Sequence, residues 1–298
     1  MFIRQYGGLE VLKFDEYPDP VPGPGEVLVR VAATSVNPID YKRRAGLTKD
    51  FYPLTFPGLI GVDLAGIVVK VGPNVEGFSA GDQVFAVAAN TYAELCVVKA
   101  NILARIPQGL DLMQAAALPL VTTTGNQLIS ATDIQPGQTV LVTGAAGSVG
   151  RSAVFTAKER GATVIAAVLK RQMGQATTLG ADQVVATDDD NEIASLPMLD
   201  AVADTIDGKA AERLIAKVKP EGVFASVLGA PGNADKFPTV KVVPVYATPD
   251  AKILEFMAQA VRDGKLVIPI GRRLPLREAA DAHAMAEKGG VGKILLVA

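Results

Sequence analysis

An apolar run at residues 139–143 leads directly into Gly144, Ala145, Ala146, Gly147, Ser148, Val149 and Gly150 and then into a helical stretch, and this feature limits the possible folds more than any other. Glycines at the first, fourth and seventh positions let backbone approach a pyrophosphate while the free N–H groups of a helix start face it. A plain strand-to-helix turn is the competing reading, and the flanking pattern argues against it. Apolar runs near 163–168, 183–187, 199–204, 223–227 and 240–245 alternate with helical segments, as in a parallel sheet covered on both faces. Pro244 suits the edge of such a sheet, where a missing donor matters least. A helix from about 250 to 262, stopped by Gly264, follows the last run.

Residues 1–111 read differently, as short strands separated by turn residues, at 26–31, 66–71 and 83–87. Asn37 followed by Pro38 predicts a capped helix over 38–45, closed by Gly46. Asp111, with Gln114 three residues on, resembles a capping box ahead of an alanine- and leucine-rich helix, and the second domain is placed from there. The expected division is 1–111 with 265–298 against 112–264, the final run at 293–297 returning as a strand to the first domain.

A chain of 298 residues favours two packed domains. Its net charge of −2, with lysines and arginines scattered, offers no concentrated basic field for nucleic acid or an anionic membrane, so a small-molecule partner is expected. The start turns polar at Arg4 and Gln5, and no apolar run approaches the roughly 20 residues of a membrane span, so export and membrane insertion are not expected. The single cysteine, Cys96, rules out an internal disulfide and fits a reducing compartment, with cytoplasm the default.

Which dinucleotide the loop would hold turns on the residues after the second strand. Binders of NAD usually place an acid there, on the ribose hydroxyls. No Asp or Glu occurs between Glu159 and Asp182, and Lys170 and Arg171 stand at the strand end, able to pair with a 2′-phosphate. NADP(H) is therefore expected over NAD, although a solvated helix start would also account for the two cations.

The Gly7-Gly8 pair, Asn37-Pro38-Ile39-Asp40, the 61–66 segment around Asp63, Gly81-Asp82, the glycine loop, Leu179-Gly180-Ala181-Asp182 and Gly292-Lys293-Ile294 together resemble the medium-chain dehydrogenase/reductase superfamily, in its zinc-independent quinone oxidoreductase and enone reductase branch. The resemblance spans nearly the whole chain. It implies an α/β fold, with a Rossmann doubly wound parallel sheet and a GroES-like β-rich catalytic domain built from both chain ends, and commonly a homodimer joined at the Rossmann edge strand. It also implies that Thr124, Gly229, Ala230 and Lys293 lie on the cofactor side, and that the short helix after Asn37 lies at the nicotinamide end. Relatives that reduce enones carry a lysine at the position of Lys42, which makes Lys42 the preferred donor to a substrate carbonyl, with an exposed surface lysine the competing reading. Tyr41 is about 100° away around the helix, so the two do not serve one oxygen. Asn37 is a third candidate, for holding backbone or cofactor.

Zinc members of the superfamily carry a catalytic cysteine and a Gly-His-Glu segment. Asn37 stands where the first ligand would be, Val62-Asp63 replaces His-Glu, and Cys96 and His283 are the sole cysteine and histidine, so no metal is expected. His283 reads as a structural residue of the last helix, and Asp63 as a buried acceptor. Short-chain reductases also open with a glycine loop but need a Tyr-x-x-x-Lys pair, and none of the six tyrosines has lysine four residues on. The activity expected is hydride transfer from NADPH to an electrophilic acceptor, a quinone or an enone, without metal. An NADPH-binding structural or regulatory protein without turnover is the alternative.

Overall fold

Residues 1–298 are described by a computed structural model. In chain order, the β-rich part holds β1 (Phe2–Ile3), β2 (Glu26–Ser35), α1 (Pro38–Arg44), β3 (Gly58–Leu59), β4 (Asp63–Val71), β5 (Gln83–Val87), β6 (Leu95–Lys99), β7 (Ala104–Arg105) and α2 (Leu112–Ala116). Next come α3 (Pro119–Ala131), β8 (Thr139–Thr143), α4 (Ser148–Glu159), β9 (Thr163–Val168), α5 (Met173–Ala176), β10 (Gln183–Ala186), α6 (Asp190–Ser195), β11 (Leu199–Asp204), α7 (Gly208–Leu214), β12 (Val218–Ser226) and β13 (Lys241–Pro244). The chain ends with α8 (Ala251–Arg262), β14 (Ile270–Pro275), α9 (Ala279–Lys288) and β15 (Lys293–Val297).

Two compact units result. The first comprises 1–120, 249–264 and 268–298, and the second 121–248 with 265–267. These boundaries differ from the 111 and 264 read from the sequence. Asp111 does cap a helix, its Oδ1 accepting the N–H groups of Met113 and Gln114, but that helix is the short α2, which packs on β2, β4 and β5 of the first unit. Pro119 has no N–H for a continuing helix and restricts Leu118 before it, so α3 starts afresh there. Helix α8, which the alternation attaches to the second domain, belongs to the first unit and packs against β7.

In the first unit, β2 is the hub. It pairs antiparallel with β4, β6 and β15, so the C-terminal strand is stitched into the sheet, with β14 parallel beyond it. Alternate residues of β2, Val27, Val29 and Val31, pack with Leu64, Val68, Val84 and Val98 in one core.

The second unit is a six-stranded, wholly parallel sheet in the order β10-β9-β8-β11-β12-β13. This is the doubly wound Rossmann order, whose winding reverses between β8 and β11. Central strands buried on both faces read as unbroken apolar runs: Val140, Leu141 and Val142 are fully buried, as are Ala201, Val202 and Ala203. Val140 and Val142 pack into one core while Leu141 packs into the other. Strand β13, with Pro244, lies at the edge as its sequence suggests.

Candidate functional site

In the second unit the C-terminal ends of β8 and β11 flank the reversal point, where open parallel sheets bind ligands. The glycine loop leaves β8 there, and Gly147 caps α4. Gly144 has φ +57°, and a Cβ on it would strike the hydroxyl of Thr205 and come within 2.9 Å of Ile206. A Cβ on Gly150 would run into the carbonyl oxygen of Gly144 and lie 2.6 Å from the Cα of Ala145. The first turn of α4 is thus pressed onto the loop, and only hydrogen fits between them. Such a backbone cradle at a helix start has the form a pyrophosphate requires.

A buried carboxylate that the sequence reading did not single out holds this end of the sheet in register. Asp204, at the tip of β11 and 1% exposed, accepts from Thr143 Oγ1 at the end of β8 and Ser226 Oγ at the end of β12, both at 2.8 Å. It also accepts the backbone N–H groups of Ile206 and Asp207. Thr205 closes the link by donating its N–H to Thr143 Oγ1 and its hydroxyl to the Thr143 carbonyl. One signal was present in the sequence: acid or hydroxyl residues stand at or beside the ends of three of the apolar runs, Thr143, Asp204 and Ser226.

The other residues expected on the cofactor side are placed as follows. Thr124 lies nine-tenths buried on α3, and Gly229, with φ +105°, and Ala230 follow β12. Lys170 and Arg171 follow β9, but the Lys170 ammonium is paired with Asp189 at 3.3 Å and its N–H donates to Asp188. Arg171 makes no ion pair or hydrogen bond.

In the first unit, Asn37, Asp63 and Lys293 meet in a buried polar cluster. Asp63 accepts from Ser35 Oγ, from Asn37 Nδ2 at 2.7 Å and from the Leu120 N–H at 2.7 Å, and its carboxylate lies 3.5 Å from Lys293 Nζ. Lys293 Nζ donates to Asn37 Oδ1 at 2.7 Å. Both polar ends of the Asn37 amide are therefore taken up inside the unit, as is the Lys293 ammonium, whose burial depresses its proton affinity against the pull of Asp63. The cluster positions the start of α1 and ties it to the last strand. The ammonium of Lys42, half-buried on α1, makes no ion pair or hydrogen bond. Tyr41 is half-buried, with its ring centroid 6.4 Å from that of His283.

His283 is fully buried on α9, and the partners invisible in sequence come from remote segments. Arg44 Nη1 donates to its Nδ1 at 3.2 Å, which fixes the neutral tautomer with the proton on Nε2, 3.1 Å from Tyr92 Oη. The Tyr92 hydroxyl then donates to Asp40, and Arg44 pairs with Glu287. Burial and the Arg44 charge push His283 down to about 3. Burial pushes Asp40 up to about 7, and its Oδ1 has no hydrogen-bond partner.

These two groups give opposite stability slopes. His283 contributes stability fully above its unfolded value of 6.5, and this is lost as pH falls toward 3, at about 1.4 kcal/mol per pH unit. Asp40 contributes fully below 3.8, and this is lost as pH rises toward 7. Between about pH 4 and 6.5 the two cancel. Asp40→Asn is expected to unmask the histidine: denaturation of the variant should show stability falling by roughly 1.4 kcal/mol per unit from pH 6.5 to 4 relative to the parent. A variant profile parallel to the parent's would contradict this assignment.

Residues 23–108 match the alcohol dehydrogenase GroES-like domain family, and residues 179–296 the family described as zinc-binding dehydrogenase. The chain is 32% identical over 312 residues to a chloroplast envelope quinone oxidoreductase homolog of Arabidopsis thaliana, covering 97% of this chain and 95% of that one. It belongs to the medium-chain dehydrogenase/reductase superfamily, in its quinone oxidoreductase branch. An NADPH-dependent alkenal/one oxidoreductase of Arabidopsis thaliana is 30% identical over 309 residues, 98% of this chain and 77% of the relative. Escherichia coli quinone oxidoreductase, solved in complex with NADPH, superposes with a TM-score of 0.87 at 27% identity, covering 100% and 99% of the two chains.

The donor set of this superfamily member does not fit the zinc that one family description names. The Cys96 thiol is buried, pushed up to about 12, and donates to the Ala89 carbonyl. Both ring nitrogens of His283 are engaged by Arg44 and Tyr92. No group of three or more His, Cys, Asp or Glu residues is arranged to hold a metal ion. No helix is long and apolar enough to cross a membrane.

Proposed function

We propose that this oxidoreductase is an NADPH-dependent reductase of quinones or α,β-unsaturated carbonyls that works without a metal. The observation that carries the reading is the glycine cradle at the reversal point of the parallel sheet, where a Cβ would displace the loop or the helix. Relatives named for quinone and for alkenal/one oxidoreduction support the acceptor class. A bound nicotinamide dinucleotide supplies the hydride. The N–H groups of the loop from Gly144 to Gly150 hold the pyrophosphate, and Asp204 keeps that loop in place through Thr143 and Thr205. Arg171, free of internal partners, takes the 2′-phosphate, with Lys170 joining when it leaves Asp189. Without a Lewis acid, reduction of an activated acceptor is favoured over oxidation of a simple alcohol, because nothing strong would stabilise an alkoxide.

Lys42 is the donor in this reading. Its ammonium has no competing internal partner, whereas Asn37, Lys293 and Asp63 are all taken up in the buried cluster. It hydrogen-bonds the acceptor's carbonyl oxygen as negative charge develops there, and holds the proton that completes the reduction. Lys42→Ala is expected to lower kcat by about 10- to 100-fold and leave the NADPH dissociation constant unchanged. The assay is loss of reduced-nicotinamide absorbance, NADPH against NADH, with an ortho-quinone and with a short alkenone. Tight NADPH binding without turnover of either acceptor would replace the enzyme reading with that of a binding protein. The edge strand β13 is the proposed meeting surface for a second copy, which sedimentation would detect.

A further inference from the structure

Helix α4 carries two cations, Arg151 and Lys158, in contrasting positions. Lys158 lies in the last turn, where the helix dipole favours positive charge, and pairs with Asp182 at 2.8 Å. Arg151 lies one turn after the cap Gly147, at the positive end of the dipole, and its backbone N–H donates to the Gly147 carbonyl at 2.8 Å. Side chains on a helix lean toward its N-terminus, so the half-buried guanidinium folds back over the glycine loop, where Nε donates to the Ala146 carbonyl at 2.9 Å. Nη1 and Nη2 have no partner within the chain, and neither is sealed from solvent. No carboxylate pairs with Arg151, and burial alone acts on its proton affinity, lowering it. A cation that is partly desolvated, unpaired and at the wrong end of a helix is in an unfavourable place unless an anion joins it.

We infer that Arg151 is the cation of the pyrophosphate site: Nε braces the loop, and the Nη groups pair with the diphosphate of the dinucleotide. The inference rests on the cofactor reading above and adds what the glycine cradle lacks. The cradle offers neutral N–H donors and the partial charge of a helix end, whereas a diphosphate bridge is a dianion. The guanidinium supplies a full charge, and its planar N–H groups suit phosphate oxygens. Because NADPH and NADH share the diphosphate, Arg151 serves both alike. Arg171 differs, since only NADPH carries the 2′-phosphate proposed for it.

Fluorescence titration of the full chain with NADPH and with NADH, without acceptor and at low and high salt, tests this. Arg151→Gln is expected to weaken both dinucleotides by about tenfold and to flatten the salt dependence of binding, whereas Arg171→Gln should weaken NADPH alone. Arg151→Lys keeps the charge without the brace on Ala146, and should recover part of the loss and the parental salt dependence. A loss confined to NADPH would move Arg151 to the 2′-phosphate, and equal losses in the two Arg151 variants at parental salt dependence would leave it a brace for the loop. Either result overturns the inference, as does parental affinity in Arg151→Gln. A parent chain that binds neither dinucleotide would remove the cofactor reading and this inference with it. Binding that follows the expected pattern without turnover of any acceptor would keep the inference and remove the reductase reading.

Discussion

Asp63→Ala is expected to destabilise the first unit by about 3–5 kcal/mol, measured by urea denaturation, because it breaks a buried pair from one side. Asp63 is fully buried and accepts from Ser35, Asn37 and the Leu120 N–H, and its charge balances Lys293. Truncation leaves an ammonium, 4% exposed as a residue, without its counter-charge and strips an acceptor from three donors at once. Asp63→Asn keeps the shape but not the charge, and should fall between parent and alanine variant. The double variant Asp63→Ala with Lys293→Met should recover a large part of the loss, since removing both partners avoids the stranded charge. Failure of Lys293→Met to rescue would mean that the hydrogen bonds to Asp63, rather than its charge, hold this region.

Gly150→Ala is expected to weaken NADPH binding by at least about 100-fold, or roughly 3 kcal/mol. The added methyl would run into the Gly144 carbonyl oxygen, with the Ala145 Cα 2.6 Å away, and both are backbone atoms that no side-chain rotation can clear. Helix α4 must then back away from the loop, pulling the N–H groups at its start away from the pyrophosphate. Gly174→Ala is the matched control, because its Cβ would meet nothing within 4 Å. Titration by the change in NADPH fluorescence should separate the two variants clearly. Near-parental affinity in Gly150→Ala would place the pyrophosphate elsewhere.

Much of the fold was legible because local chemistry and tertiary role coincide. The unbroken apolar runs of β8 and β11 read as doubly buried strands and are, and Pro244 falls on an edge strand where its missing donor is harmless. The short helix after Asn37 was readable from its Asn-Pro start, and the observed α1 spans Pro38–Arg44. The unit boundaries were less legible, since α2 and α8 have ordinary helical patterns and nothing in an amphipathic face names the sheet it will cover.

The sequence by itself determined the cradle and ruled against zinc ligation: glycine is required where backbone meets backbone, and one cysteine with one histidine cannot supply the superfamily's ligand set. Only the tertiary structure decided which polar residues are consumed. Asn37 and Lys293 lie 256 residues apart, Arg44 and His283 lie 239 apart, and Asp204 reaches Thr143 across 61. Hydrogen bonding and desolvation act over a few ångströms of space, and the pairing of β2 with β15 brings the two ends of the chain within that reach, a distance no local pattern records.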